Sequence, residues 1–291
     1  MAPPEPGKLI FNQQQTRRGS WPFSIAAFSI PTVRARCICW FADSSHTGLV
    51  STGQINLPRI QWTFRFGPNK WCAMELFKYC SKNNWLKMRE TGCVRIGTLY
   101  DYRKPAKYGE LTSDELEGTK RLAGSISDLN ATTIESYPIL KGLIHIEGAG
   151  KIGTMTVSNF KMTTPNLLVF SASNEYSDGA HTLWSTLEGY DCCYRIASPR
   201  LFFRSISDAL GPSYKFLGFA GIHYSDEIDL ASPEANIHPA LVKRKAGYAD
   251  QAEVRAIWQP PDSNSAEPIV LEQTRARLYT SEHRVVSNAW A

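Results

Sequence analysis

Residues 76–100 constrain the fold more than any other part of the chain, because they set down a strand, a capped helix and a second strand in direct succession. Leu76, Phe77, Lys78 and Tyr79 alternate in strand fashion, Ser81 is placed to cap a helix over Lys82–Thr91, and Gly92 is placed to stop it. A second strand rich in β-forming residues covers 93–100, with Arg95 between two apolar neighbours. Tyr100, Asp101, Tyr102 and Arg103 follow at once, so hydrogen-bonding side chains collect where a strand gives way to a loop. Loops held by rigid elements are where binding and catalysis concentrate.

Further strands are expected at 143–146, 154–160, 167–171, Cys192–Ile196, 216–224, 252–258, 269–272 and 277–280. Helices are expected at 180–187, with Asp178 as N-cap, and at Pro199–Leu210, where Gly211 and Pro212 stop the turn. The order has no βαβ rhythm and no internal repeat. It predicts an α+β fold, with a mixed or antiparallel central sheet and a few flanking helices, in one domain over 74–291.

Charge is unevenly placed. The formal +5 resolves into +6 over residues 1–73, with eight Lys or Arg against two acids, and −1 over the remainder. A nucleic-acid footprint on the folded body is therefore not expected, since tracking phosphates needs clustered positive charge. Pro3, Pro4 and Pro6 and the run Gln13–Gln14–Gln15 mark the leader, which is expected to be disordered or to come from an over-extended start ahead of Met74. Arg17 and Arg18 hint at an export signal, and the acid-poor composition at a transit peptide, but Pro22 and Pro31 interrupt the apolar stretch that follows, and Arg34 and Arg36 end it short of a membrane span. Seven cysteines form an odd set without zinc spacing, and the adjacent Cys192 and Cys193 read as small core thiols. A reduced, cytoplasmic setting fits them.

Three groups of residues could carry chemistry. The loop over 104–118 holds Glu110, Asp114, Glu115 and Glu117, following the strand with Arg95, Tyr100 and Arg103. Taken alone it is a solvated acidic turn; beside those cations it could close a polar cluster. Ser171 and Ser173 end an apolar strand, with His181, Trp184 and Ser185 in the helix beyond. Hydroxyls at a strand end can grip a ribose or phosphate, and an aromatic can stack a planar ring, although Trp184 reads equally well as core. Glu253 and Arg255 lie two apart on one strand face, where a half-buried carboxylate needs a partner. A G-x-S-x-G elbow at either serine, a Gly-rich phosphate loop and an H-E-x-x-H pair are all missing, which removes serine hydrolases, nucleotide triphosphatases and the usual zinc peptidases.

Taken together, LFKYCS at 76–81, VRIGTLYDYR at 94–103, D-x-x-E-G at 114–118, VFSAS at 169–173, LWSTLEGYDCCYRI at 183–196 and KAGYADQAEVRAIW at 245–258 resemble the domain of unknown function 2971 family. The order and spacing of these motifs agree with that mostly bacterial family over most of 74–279. Its Asn-Asp-Pro turn after the second strand is replaced here by the charged loop. The resemblance implies a place in a toxin or phage-defence system. More distantly, the strand, helix and strand with a late glutamate are similar to ADP-ribosyltransferases, which implies a split sheet and NAD as substrate. By that comparison Glu253 and Tyr79 are the catalytic pair. Arg95, Tyr100, Tyr102, Arg103, Ser171, Ser173, Trp184 and Arg255 contact NAD, and Asp114 and Glu117 belong to the acidic loop. The first strand lacks the His or Arg such enzymes use.

Three functions of different class follow. The first is a transferase that breaks the nicotinamide–ribose bond, with an unidentified acceptor. The second is a non-enzymatic module that binds a nucleotide or protein with the same fold. The third is a nuclease, which would need a metal held by Glu110, Asp114 and Glu117.

Overall fold

The computed structural model describes residues 23–25, 74–109, 112–141, 144, 146 and 151–285. Apart from strand β1 (Phe23–Ile25), the leader reading over 1–73 lies outside the described residues, as does Glu110. The α+β expectation holds. Strand β2 (Leu76–Cys80) leads through helix α1 (Lys82–Thr91) to β3 (Val94–Thr98), a short helix α2 (Pro105–Tyr108) and β4 (Thr119–Asn130). Helix α3 (Pro138–Lys141), β5 (Lys151–Thr163), β6 (Leu168–Ser173), α4 (Asp178–Glu188), β7 (Cys192–Ile196) and α5 (Pro199–Leu210) follow. The chain ends in β8 (Lys215–Gly221), β9 (His223–Tyr224), β10 (Ile228–Asp229), β11 (Val242–Lys243), β12 (Glu253–Gln259), β13 (Ile269–Leu271) and β14 (Thr280–Val285).

The opening unit forms as its sequence dictates. Ser81 Oγ accepts the Asn84 N–H at 3.3 Å, and Gly92 ends α1 in the left-handed region at φ 72°. That position cannot carry a side chain, because a Cβ there would overlap the Thr274 backbone, while the Thr274 hydroxyl donates to the Gly92 carbonyl at 2.6 Å. Trp85 and Met88 point from α1 into the main core, where they meet Leu76, Ile96, Phe170, Phe202, Phe203 and Trp258.

The main sheet is antiparallel throughout and forked. Along one edge of β6, β12 pairs in register from Glu253↔Ser173 to Trp258↔Leu168. The opposite edge is divided: β3 takes the Leu168 and Val169 end, and β2 takes only Ser173, through Phe77. The two strands diverge over residues 170–172. Lys78 reaches into this fork and donates its ammonium to the Ser171 carbonyl at 2.8 Å, supplying a backbone acceptor that no neighbouring strand meets.

Alternation then sorts the side chains. Leu76, Cys80, Val94, Ile96, Phe170, Ala172, Cys192, Tyr194, Val254, Ala256 and Trp258 face the main core under α1 and α5. The other parity carries Phe77, Tyr79, Arg95, Gly97, Ser171, Ser173, Glu253 and Arg255.

A second layer is built on the long β4–β5 hairpin, with a cluster of Leu122, Ile126, Leu129, Met155, Val157, Ile228 and Leu230 beneath it. The sequence reading has no strand over β4. Its Gly, Ser, Asp and Asn content is poor in β-formers, and the register shift between Leu122 and Gly124, with Asp128 at φ 57°, breaks the alternation that would have revealed it. Other expectations are corrected in detail. Ile144 and Ile146 carry no strand, while Leu143 and His145 lie outside the described residues. The expected strand at 277–280 is largely a 3-10 turn over Arg275–Tyr279, and the strand β14 follows it. The N-cap of α4 is Ser177, one residue before the expected Asp178.

Candidate functional site

Of the residues singled out from sequence, Tyr79, Arg95, Ser171, Ser173, Glu253 and Arg255 share the polar face of the forked sheet. They come from four strands, and direct register pairs join Glu253 to Ser173 and Arg255 to Ser171. At the centre is a buried ion network. The Arg255 guanidinium donates to both oxygens of Glu253, at 2.6 Å from Nε and 3.3 Å from Nη2, and to the Ala240 carbonyl at 2.9 Å. It also grips both oxygens of Glu117, with Nη2 at 2.9 Å and Nη1 on the second oxygen. Lys243 adds a second cation to Glu253 at 3.1 Å, donates to Gln251 at 3.0 Å and lies over the Tyr248 ring. Burial alone would raise the Glu253 carboxyl, but Arg255, Lys243 and the Ser171 hydroxyl hold it well below the usual carboxylate range. The side chains of Glu117, Glu253, Lys243 and Arg255 are all at most 8% exposed. Such a network fixes the loop over 104–118 against the sheet; breaking one partner of it strands a buried charge.

An aromatic column stands at one end of this face. Tyr79 stacks on Trp184 at 6.2 Å and 15° between planes, and Trp184 stacks on Tyr190 at 5.5 Å and 9°. Tyr176 stacks on Tyr79 at 6.2 Å and 21°, and His181 meets Tyr79 with its ring tilted by 38°. The Tyr79 hydroxyl accepts the Ser177 N–H at 3.3 Å at the start of α4, and burial raises its pKa. His181 Nε2 is buried and has no hydrogen-bond partner, and desolvation lowers its pKa. Trp184 and Tyr190 are half-buried.

A cationic cluster lies beside the column. Arg95, on β3, meets the buried Asp101 carboxylate at 3.1 Å, Lys107 meets it at 3.0 Å and Lys104 at 3.6 Å. Tyr102 folds over Gly97, where a Cβ would overlap its phenol ring, and its hydroxyl is pushed up to about 12 by burial against the opposing pull of Arg95. The short helix α2 brings this loop to the end of α4, where Gly109 abuts the Glu188 carboxylate.

Four of the residues singled out from sequence have their polar groups engaged within the fold. Arg103 is not placed on the open face: it donates to the Glu117 carbonyl at 2.8 and 2.6 Å and stacks on the Tyr100 ring at 4.0 Å, bracing the acidic loop. Tyr100 is turned to Thr164, donating to its carbonyl at 2.8 Å, and packs with Leu99, Leu167 and Leu241. Ser173 caps a turn, donating to the Glu175 carbonyl at 2.7 Å. Asp114 pairs with Arg244 at 2.9 Å and caps the Leu116 N–H at 3.0 Å. Asp114 and Glu117 are thus each held by an arginine. Among the described residues no group of three His, Cys, Asp or Glu stands where it could hold a metal, and Glu110 lies outside them.

The sequence reading missed Asp101, Lys104, Lys107, Tyr190 and Lys243 as members of this face, and Lys78, which enters the fork from the core side over the Phe170 ring. Lys243 sits on a two-residue strand without periodicity, and the three lysines look like ordinary surface residues until the fork and the loop bring them in. Tyr190 had a usable signal: it follows the left-handed Gly189 that ends α4, where the chain must turn back toward β7. A cavity of about 240 Å³ lies apart from this face, against the hairpin layer, with Tyr137, Leu230 and Asn236 in its lining. No family model, curated protein or solved structure matches the chain, so the family resemblance rests on the motifs alone.

Proposed function

We propose that the protein binds a nucleotide of the NAD class on the polar face of its forked sheet, acting as a recognition module. The observation that carries this reading is the meeting, on one face, of a stacked aromatic column with the Ser171–Glu253 pair. Tyr190, half-buried at the outer end of the column, offers a platform for a planar base, and the half-buried Ser171 hydroxyl, turned to Glu253, keeps its lone pairs for a ribose hydroxyl. The setting is cytoplasmic in this reading, in keeping with the free, buried thiols of Cys80, Cys192 and Cys193. No described helix is long and apolar enough to cross a membrane.

Titration of the purified full chain with NAD, ADP-ribose and adenosine, followed by tryptophan fluorescence and calorimetry, tests the proposal. Saturable binding is expected, and Tyr190→Ala, which removes the ring at the outer end of the column, should weaken it by about 1–3 kcal/mol, the worth of one stacked base. Absence of saturable binding by all three ligands would end it.

A second reading, ADP-ribosyl transfer, is favoured by one observation: Glu253 is held as an anion on the same face as Tyr79, where it could steady a developing cation at a glycosidic carbon. Against it, Arg255 and Lys243 already neutralise that carboxylate, and it is buried. Recognition without turnover is therefore the reading the geometry favours, as a sensor module of a defence system, and an acceptor belongs to the transferase alternative.

A further inference from the structure

We infer that Cys80 and Cys192 are a site of oxidative modification, forming a reversible intrachain disulfide between the end of β2 and the start of β7 when the chain meets a hydroperoxide. The inference stands apart from the nucleotide reading, and its test needs no ligand.

Register carries it. Strands β2 and β7 are adjacent and antiparallel, and Cys80 stands directly opposite Cys192 in the last pair of their ladder. Opposed residues on such strands have Cα atoms about 4.5–5.5 Å apart, inside the span of about 4.4–6.8 Å that a disulfide bridges. The two side chains also share a face, in the main core beside Trp85 and Tyr194, whose rings stack at 5.1 Å. The thiols meet there: Cys80 donates to the Cys192 sulfur, which lowers the pKa of Cys192 and raises that of Cys80. A bond between them therefore needs little movement of the backbone.

The same geometry sets the other described thiols aside. Cys193 follows Cys192 on the strand and so points to the opposite face, where its register partner is Tyr79. Cys93 stands just before β3, whose partners are β6 and β13. Packing asks only for small apolar side chains in this part of the core, not for two sulfurs facing one another from positions 80 and 192.

Access is from the end of the ladder. Cys80 is 7% exposed and Cys192 is fully buried, but beyond them the chain leaves β2 through Ser81 into α1 and enters β7 from Asp191. The Lys82 N–H, donating to Asp191 at 2.7 Å, closes this end, and fraying of the terminal pair admits a peroxide, which is little larger than water. Cys192 Sγ attacks one peroxide oxygen, the O–O bond breaks, and the departing hydroxide leaves as water with the Cys192 proton. Cys80 Sγ then displaces the hydroxyl of the sulfenic acid: the S–O bond breaks, the S–S bond forms, and a second water leaves with the Cys80 proton. The sulfurs give up two electrons in all, and the peroxide takes both. A dithiol reverses the step by thiol–disulfide exchange. The bond ties β2 to β7 next to Tyr79, the ring on which the aromatic column stands.

The test is peptide mapping of the folded full chain after a molar excess of hydrogen peroxide and blocking of the remaining thiols, together with urea unfolding of the oxidised and reduced forms. The inference expects the tryptic peptide 79–82, whose one cysteine is Cys80, to be joined to the peptide carrying Cys192 and Cys193 with loss of two hydrogens. Dithiothreitol should release it, and oxidation should shift the urea midpoint upward. C193A should keep the link, whereas C80A and C192A should lose it together with the peroxide-dependent shift, near-ultraviolet circular dichroism showing that each variant is folded. Mapping of the wild type decides the matter even where a variant fails to fold. Absence of the link after peroxide, a link that forms only in urea, or a link that lowers the midpoint overturns the inference, and so does a link that persists in C192A.

Discussion

Arg255→Met is the most severe single test of the buried network. The guanidinium makes four hydrogen bonds to two carboxylates and one to the Ala240 carbonyl, and its side chain is 3% exposed. Methionine fills much of the volume but leaves Glu117, 1% exposed, without its two-pronged partner, and leaves Glu253 with Lys243. Removing one member of a buried ion pair costs about 3–5 kcal/mol. Because Lys243 still covers Glu253, a cost near 4 kcal/mol is expected at pH 7.5, against a total stability of order 5–15 kcal/mol for a domain.

The pH dependence follows from the sign of each shift. In the wild type Glu253 has a lowered folded pKa, so its pairing contributes stability above the ordinary carboxylate range and loses it only as pH falls far below. In the variant, burial without Arg255 raises the folded pKa of the carboxylate, so the penalty is present above the raised value and fades as pH falls toward 5. Urea unfolding of both proteins from pH 5 to 8 measures the difference. Adding Glu117→Gln removes the stranded charge and should recover about half of the loss. A loss under about 1 kcal/mol at pH 7.5, or a loss that is unchanged with pH and unaffected by Glu117→Gln, refutes the account of this network as a buried, mutually compensated cluster.

Two further outcomes are expected elsewhere. Gly97→Ala should force Tyr102 off the sheet and cost about 1–3 kcal/mol in urea unfolding, and Tyr102→Ala in the same chain should recover part of that cost. Lys120 is buried, donates to the carbonyls of Ala235 and Ile237, and is pushed down by burial to about 7, so the unfolded chain holds the extra proton between about pH 7 and 10.5. Stability of the wild type relative to Lys120→Met should therefore rise with pH across that window, by at most about 1.4 kcal/mol per unit, and stay flat below it.

Particular elements show what the sequence could disclose. Helix α5 was legible to the residue because Pro at its start, an apolar stripe and Gly211–Pro212 at its end all agree. Strand β12 was nearly so, since Glu253 and Arg255 fall on one face by alternation alone, and the structure places both on the polar side. The fork was not legible, because it depends on two strands competing for one edge of β6, a relation between segments distant in the chain. For the same reason the sequence holds no sign that Lys78 fills the fork. The roles of Arg103 and Tyr100 were missed for a different cause. A charged loop offers many partners, and only the folded backbone decides that the Glu117 carbonyl takes one side chain and the Thr164 carbonyl the other.

Glu253→Gln separates the two roles open to that residue. The amide keeps the shape and can still accept from Arg255 and Lys243 through its oxygen, but its nitrogen now faces donors, so one of the contacts at 2.6 and 3.1 Å becomes donor against donor. If Glu253 is an anchor, stability should fall by about 2–4 kcal/mol, within the range for damaging a buried charge pair. Nucleotide affinity should then fall only as far as the fold loosens, so that stabilising osmolyte restores it. If Glu253 instead acts on a bound ribose, the variant should bind NAD while losing all turnover, and osmolyte should not restore that turnover. Measuring unfolding, NAD affinity and nicotinamide release on one preparation distinguishes them, since the anchor role predicts no nicotinamide release by the wild type itself. Release by the wild type that disappears in a fully folded Glu253→Gln protein would overturn the recognition reading in favour of transfer.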